Sequence, residues 1–279
     1  MVFVPIAPSS LANDAAVDPV VQVAPAGGSA EKSEEVSGQG WASLQSALQP
    51  AKLRPSPSGV AGPDDEFGYS VAVEGNRALV GGIGLGSTGA AVVLEDAGSG
   101  WVEVATLRPL DGEPADQFGF AVSLSGDRAL VGAKLNDASG TSSGSAYVFD
   151  FNGQDWSQTA KLAPNDGAAG DVFGHSVSLV GDRALIGAKG DNGGSGSAYV
   201  FELDGPEWVE TAKLTAYDAS QGDEFGFSVS LSGDRALIGA HRDDENGENS
   251  GSAYVFELDE SNWSETAKLT VQDSQGDEF

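Results

Sequence analysis

From about residue 41 onward, short apolar stretches alternate with clusters of Gly, Ser, Asp and Asn, and the alternation recurs. One sixteen-residue block aligns without gaps four times: FGYSVAVEGNRALVGG (67–82), FGFAVSLSGDRALVGA (118–133), FGHSVSLVGDRALIGA (173–188) and FGFSVSLSGDRALIGA (225–240). Within it, apolar and polar residues alternate with period two. Val229 and Leu231 point to one face and Ser228 and Ser230 to the other, which predicts a half-buried strand. Ser-Gly-Asp-Arg follows as a tight hairpin turn, the Gly-Asp pair suiting the positive φ such turns demand. The next stretch, Arg-Ala-Leu-Ile-Gly-Ala, is small and apolar throughout, as in a strand buried on both faces. A second block, GAAVVL (89–94) then GSAYVF at 144–149, 196–201 and 251–256, is β-branched and aromatic and predicts a third strand. A fourth runs from Trp101, Trp156, Trp208 and Trp263 to Leu107, Leu162, Leu214 and Leu269. No stretch has helical periodicity.

Four strands in sequence, returning about every 50 residues, predict an all-β chain in which each repeat is one four-stranded blade of a β-propeller. A single blade cannot cover both of its faces, so neighbours must stack. A β-sandwich or an open β-solenoid is the alternative. Sandwiches rarely repeat their sequence this closely, and a β-helix has a much shorter period. The repeats fall at about 67–117, 118–172, 173–224 and 225–276. Asp277-Glu278-Phe279 reads as the start of a fifth, and Trp41…Leu53 as the last strand of a preceding one. The expected assembly is therefore an incomplete ring carried by a fragment or an interrupted reading frame, with a closed four-bladed ring as the alternative. Residues 1–40, rich in Ala, Pro, Ser and Gly, read as a disordered tail and linker, or as the remnant of a signal peptide around Met1–Pro8 and Ser10-Leu11-Ala12.

Residues 50–279 resemble the FG-GAP repeat family on Phe-Gly at 67, 118, 173 and 225 and Gly-Ala at 132, 187 and 239. The resemblance is closest to the prokaryotic form, with its FGxSVxxxGDRALVGA…GSGSAYVF…W…AKL pattern. The same repeat builds the propeller of integrin α chains, and the resemblance implies a propeller fold. Two departures stand out. Lys134, Lys189 and His241 replace the proline of Gly-Ala-Pro, and the first repeat reads Gly81-Gly82-Ile83. The first hairpin is also too short for the DxDxDGxxD calcium loop that integrin-type repeats often carry.

Charge narrows the partners. Asp and Glu number 42 against 14 Lys and Arg, a net charge of −28, so nucleic acid and anionic membrane are disfavoured. Divalent-cation binding, adaptation to high salt or plain solubility could each produce such a balance. The even spread of the acids along the chain favours high salt. No run of 18 apolar residues occurs, so no membrane insertion is expected.

Calcium needs six to eight oxygens. Its best candidate ligands are Asp243, Asp244, Asn246 and Asn249, in the segment DDENGEN. Asn136/Asp137 and Asp191/Asn192 are weaker echoes, and a second set is Asp218…Asp223-Glu224, Asp166…Asp171 and Asp273…Asp277-Glu278. Solvated turn residues are the plainer reading and rank ahead, because no true ligand spacing appears. Gly84-Leu85-Gly86-Ser87-Thr88-Gly89 matches GxGxxG, but a strand follows it where a nucleotide loop needs a helix. His175 and His241 are the only histidines and no Cys exists, which removes a Cys–His dyad and a three-His zinc site. Arg77, Arg128, Arg183 and Arg235, with Lys161, Lys213 and Lys268, recur in register and read as framework. They are expected to form blade-to-blade salt links to the Asp-Glu-Phe-Gly segments. The four periodic tryptophans read as blade packing rather than carbohydrate stacking. Asn262-Trp263-Ser264 is a glycosylation sequon that matters only on export.

The loops 134–143, 189–195 and 241–250 vary in length and sequence between constant strands, which is where recognition usually resides. The function expected is a non-catalytic, extracellular or cell-surface binding or adhesion scaffold. A protein or glycan ligand would sit on the variable-loop face, with calcium as an optional stabiliser. The alternatives are an accessory propeller of a larger secreted hydrolase and a structural surface-array protein.

Overall fold

The computed structural model describes residues 63–271. The expected tail at 1–40, the Trp41…Leu53 strand, the Asp273…Asp277-Glu278 set and the fifth-repeat start at 277–279 lie outside them.

Sixteen strands form four separate four-stranded antiparallel sheets, each joined in simple sequence order. The first blade is β1 (Phe67–Glu74), β2 (Arg77–Gly82), β3 (Ala90–Asp96) and β4 (Trp101–Leu107). The second is β5 (Phe118–Ser125), β6 (Arg128–Ala133), β7 (Ser145–Phe151) and β8 (Trp156–Leu162). The third is β9 (Ser176–Val180), β10 (Arg183–Ala188), β11 (Ser197–Asp204) and β12 (Glu207–Leu214). The fourth is β13 (Ser228–Ser232), β14 (Arg235–Ala240), β15 (Ser252–Asp259) and β16 (Asn262–Leu269). These are propeller blades. Helical hydrogen bonding among the described residues is confined to a single turn at Asp191–Gly194, where Asn192 and Gly193 have positive φ.

The hairpin joining the first two strands of each blade is a two-residue turn, Ser125 pairing with Arg128 across Gly126-Asp127. Only the glycine takes positive φ, 58° at Gly126 and 56° at Gly181. That is the II′ pattern, with glycine at the first central position, rather than the two positive residues expected from the Gly-Asp pair.

Blades stack through interdigitating faces. One core cluster joins Leu79, Ala91 and Val93 of the first blade to Phe118, Leu124, Val131 and Tyr147 of the second. The same positions join the second to the third and the third to the fourth. Alternate residues of one strand thus face opposite neighbours, which is why the second strand reads as continuously apolar. The Gly of Gly-Ala marks the closest approach. A Cβ on Gly132 would lie 2.1 Å from the Gly174 carbonyl oxygen, and one on Gly187 would lie 2.0 Å from that of Gly226. The Phe-Gly of one blade therefore needs the Gly-Ala of the blade before it.

The repeated arginine ties the same joint. Arg128 Nε donates to Asp150 of its own blade at 2.6 Å, and its Nη1 donates to Asp182 in the hairpin of the next blade at 2.6 Å. Its guanidinium lies 5.2 Å from the ring centre of Trp208, also of the next blade. Arg183 repeats this with Glu202, Asp234 and Trp263, and Arg77 with Glu95, Asp127 and Trp156. The blade-to-blade links expected of the arginines form, but on the hairpin aspartates and not on the Asp-Glu-Phe-Gly segments. The hairpin Asp is the nearer carboxylate because the guanidinium leaves its strand beside the neighbouring turn. Trp156, Trp208 and Trp263 pack between blades as expected, while Trp101 packs against residues of its own blade.

Candidate functional site

The variable loops share a construction that their sequences hide. Each begins on a buried amide or carboxylate, Asn136, Asp191 or Asp243, and ends on a buried Ser or Gly before the third strand. The backbone closes the loop at its base: Gly144, Gly196 and Gly251 donate N–H to the carbonyls of Asn136, Asp191 and Asp243 at 2.7, 3.0 and 2.8 Å. Between these fixed ends the tips are exposed, at 137–139, at 192–193 and at 244–248.

In the fourth blade the anchor is a charged knot. Asp243 accepts from the Ser252 hydroxyl at 2.8 Å, the Tyr254 hydroxyl at 2.8 Å and the Lys268 ammonium at 3.1 Å. Lys268 Nζ also donates to Asp218 at 2.6 Å and Glu245 at 3.1 Å. Burial raises the cost of the Asp243 charge, but the donors from Ser252, Glu245 N–H, Tyr254 and Lys268 outweigh it and hold the carboxyl below its usual range. Burial alone would lower Lys268, yet Asp218, Tyr254, Asp243 and Glu245 together raise it. The third blade repeats the knot with Lys213, Asp166, Asp191 and Tyr199. Asp171 and Asp223, buried close by, are pushed up chiefly by burial and then by Asp191 and Asp243 respectively.

The four candidate calcium ligands are engaged separately. Asp243 points into the knot, and Asp244 Oδ1 accepts from the Asn249 N–H at 2.7 Å. The Asn246 side chain donates to the Val271 carbonyl at 3.2 Å. Asn249 contributes backbone at φ 53°. The carboxylates that do converge, Asp218, Asp243 and Glu245, converge on an ammonium with all three of its donors in use. A dication would have to displace Lys268, so the residues present do not fit calcium. Among the described residues no group of three or more acidic or histidine side chains is disposed to hold a metal. The knot brings the segment 243–249 together with Asp218, two stretches that sequence alone keeps apart. It adds Lys268, which reads from sequence as framework, and Tyr254 of the GSAYVF strand. Their recurrence in register with GSAYVF and AKL was the available signal.

The second blade departs from the rule. Its anchor is Asn136, whose amide donates to Asp116 at 2.8 Å and whose carbonyl accepts from Ser145 at 2.8 Å. Lys161 turns to Asp111, at 2.6 Å, and the buried Tyr147 hydroxyl lies beside the same carboxylate. In the first blade the loop Gly84–Gly89 turns two carbonyls inward, those of Leu85 and Gly89, onto Arg108 Nη1 at 2.8 and 3.1 Å. A phosphate loop presents N–H groups instead.

Beside the loops, the residue after each Phe-Gly forms a column of rings that runs across all four blades. Tyr69, Phe120, His175 and Phe227 follow one another at centroid distances of 4.9, 5.0 and 4.9 Å. The residues that replace the proline of Gly-Ala-Pro place their side chains on this column. Lys134 Nζ stands 3.6 Å over Phe120, Lys189 Nζ 5.3 Å from Phe227, and the His241 ring 3.9 Å from Phe227. Lys189 also pairs with Glu224 at 2.5 Å. His175 packs between blades, against Phe120 and Phe227. Burial, then Lys189 and Lys134, lower it to about 4.

A family model described as FG-GAP repeat matches residues 101–149, 156–201 and 208–256, just over half of the chain. Each match runs from the fourth strand of one blade through the third strand of the next, so the unit of sequence spans a blade joint. No curated protein matches the chain.

Proposed function

Because the chain belongs to the FG-GAP repeat family, we propose that it is a non-catalytic binding scaffold of the cell surface or extracellular space. The observation that carries this reading is the loop construction: exposed tips of different length and chemistry on buried anchors at equivalent positions. Such an arrangement lets ligand contacts change without disturbing the blade joints. The tips at 137–139, 192–193 and 244–248 carry Asp137, Ser139, Asn192, Asp244 and Glu248, all polar, and suit a protein or glycan partner that offers hydrogen bonds. With a net charge of −28, nucleic acid and anionic membrane are not partners. No helix among the described residues is long and apolar enough to cross a membrane.

The non-catalytic reading draws support from how the titratable groups are used. Lys213, Lys268, Tyr199 and Tyr254, all strongly perturbed, serve as loop anchors, each satisfied by fixed neighbours. A panel of immobilised glycans and extracellular proteins tests the proposal. A ligand should be retained by the whole chain and lost when the 244–248 tip is shortened to the length of the 192–193 tip. Turnover of an ester, glycoside or phosphoester substrate by the purified chain would overturn it.

A further inference from the structure

The three blade joints inside the chain define what a blade face accepts, and among the described residues two faces of the same kind are left open. On the fourth blade, Leu237 is 43% exposed, whereas its equivalents Leu79, Leu130 and Leu185 are 0% exposed. The Arg235 side chain is 73% exposed and reaches only Glu257, while Arg77, Arg128 and Arg183 are 17–23% exposed and each also holds a hairpin aspartate of the next blade. A Cβ on Gly239 would meet only Ser228, where Gly132 and Gly187 meet a neighbouring carbonyl. The Ser228 hydroxyl has no bond of its own, whereas Ser70 and Ser176 donate across their joints to Gly119 and Gly226 at 2.7 and 2.8 Å. A hollow of about 350 Å³ lies here, lined by Phe227, Val229, Leu237, Gly239 and His241.

Among the described residues the first blade is open on the complementary side. Val71 and Val73 are both 70% exposed, although Leu124, Leu179 and Leu231, the equivalents of Val73, are buried. At each internal joint this first strand is the part that packs onto the first two strands of the preceding blade.

We infer that the fourth-blade face receives the first blade of a second copy of this chain, continuing the internal joint between molecules. Val71 and Val73 of one copy enter the hollow around Leu237 of the other. Ser228 then donates to the Gly68 carbonyl, and Arg235 reaches the hairpin Gly75-Asn76. The contact is head-to-tail and therefore builds rings or open rows rather than a two-fold dimer. Its polar clasp is weaker than the internal ones, because Asn76 stands where Asp127, Asp182 and Asp234 stand. Two bodies of charge −28 also repel, so the contact forms at high ionic strength.

Sedimentation velocity on the full chain in molar KCl tests this. The mass should rise with concentration in the micromolar range. Leu237→Asp alone and Val73→Asp alone, both at exposed positions, should each stay monomeric. An equimolar mixture of the two should form a one-to-one dimer, since one intact face of each kind remains. Asn76→Asp adds a negative charge to an already acidic chain, yet supplies the missing carboxylate for Arg235. It should tighten association roughly threefold, the scale of an exposed ion pair. A chain that is monomeric throughout, a mixture that fails to dimerise, association indifferent to Leu237→Asp, or binding of a separate FG-GAP blade without self-association would each overturn the inference.

Discussion

Replacing His175 by Phe should remove a specific acid sensitivity from the fold. The imidazole lies between Phe120 and Phe227, and its Nδ1 is 3.1 Å from the Phe227 carbonyl, which places the proton of the neutral ring on Nδ1. Lys189 and Lys134 oppose a further positive charge there, and Glu224 favours it only weakly. The folded value of about 4 lies below the unfolded value of 6.5. Between those limits the unfolded chain binds more protons, so this site's contribution to stability is intact above pH 6.5 and falls away on acidification. Linkage puts the loss at about 2 kcal/mol by pH 5 and about 3 kcal/mol by pH 4. Phenylalanine fits, since the neighbouring blades carry it at the same position. Urea unfolding of both proteins at pH 8 and pH 5 isolates the effect, because every other carboxylate and histidine is shared. At pH 8 the variant should lie within about 1 kcal/mol of the parent, the worth of one hydrogen bond. At pH 5 it should have lost about 2 kcal/mol less. Equal losses in the two proteins would show that His175 is not held neutral in the column.

Three further outcomes follow from the joints and anchors. Lys268→Met leaves Asp218, Asp243 and Glu245 facing one another and should cost about 3 kcal/mol in chemical denaturation, with the 244–248 tip the first segment to gain amide exchange. Chelation should leave the thermal midpoint unchanged while molar KCl raises it, because a lysine and not a divalent ion closes the loop knots; calcium-specific stabilisation at matched ionic strength would contradict this. Ala121→Ser should stabilise the chain by about 0.5–1 kcal/mol, because it restores toward Gly174 the inter-blade hydroxyl bond that Ser70 and Ser176 make at their own joints.

How much of this was legible beforehand depends on whether a feature is a matter of period or of pairing. The strands, the hairpins and the stacking of blades follow from alternation and repetition, and Trp156, Trp208 and Trp263 lie where periodicity placed them. Pairing is a different matter. Lys213 meets Asp166 and Lys268 meets Asp218 across 47 and 50 residues. Such contacts join positions that recur between repeats, and recurrence does not say which recurring residue touches which. The arginines show the same limit. Asp127, Asp182 and Asp234 stand inside the very motif that carries Arg128, Arg183 and Arg235, yet each serves the arginine of the blade before. The acidic segment 243–249 looked like a ligand set because sequence shows its carboxylates and not the ammonium that arrives from β16. The ring column was invisible because Tyr69, Phe120, His175 and Phe227 occupy a position whose residue changes between repeats and so belongs to no repeated motif.

The stacking of Phe-Gly on Gly-Ala is best probed by a single methyl group placed at two equivalent sites. Gly187→Ala would drive a Cβ to 2.0 Å from the Gly226 carbonyl, whereas Gly239→Ala would meet the movable Ser228 hydroxyl at 2.4 Å. Side-by-side urea titrations at a concentration where the chain is monomeric should give a loss of about 3 kcal/mol or more for Gly187→Ala and under about 1 kcal/mol for Gly239→Ala. Equal losses at the two sites would mean that these glycines serve the conformation of their own strands and that the blades are not held together at Phe-Gly.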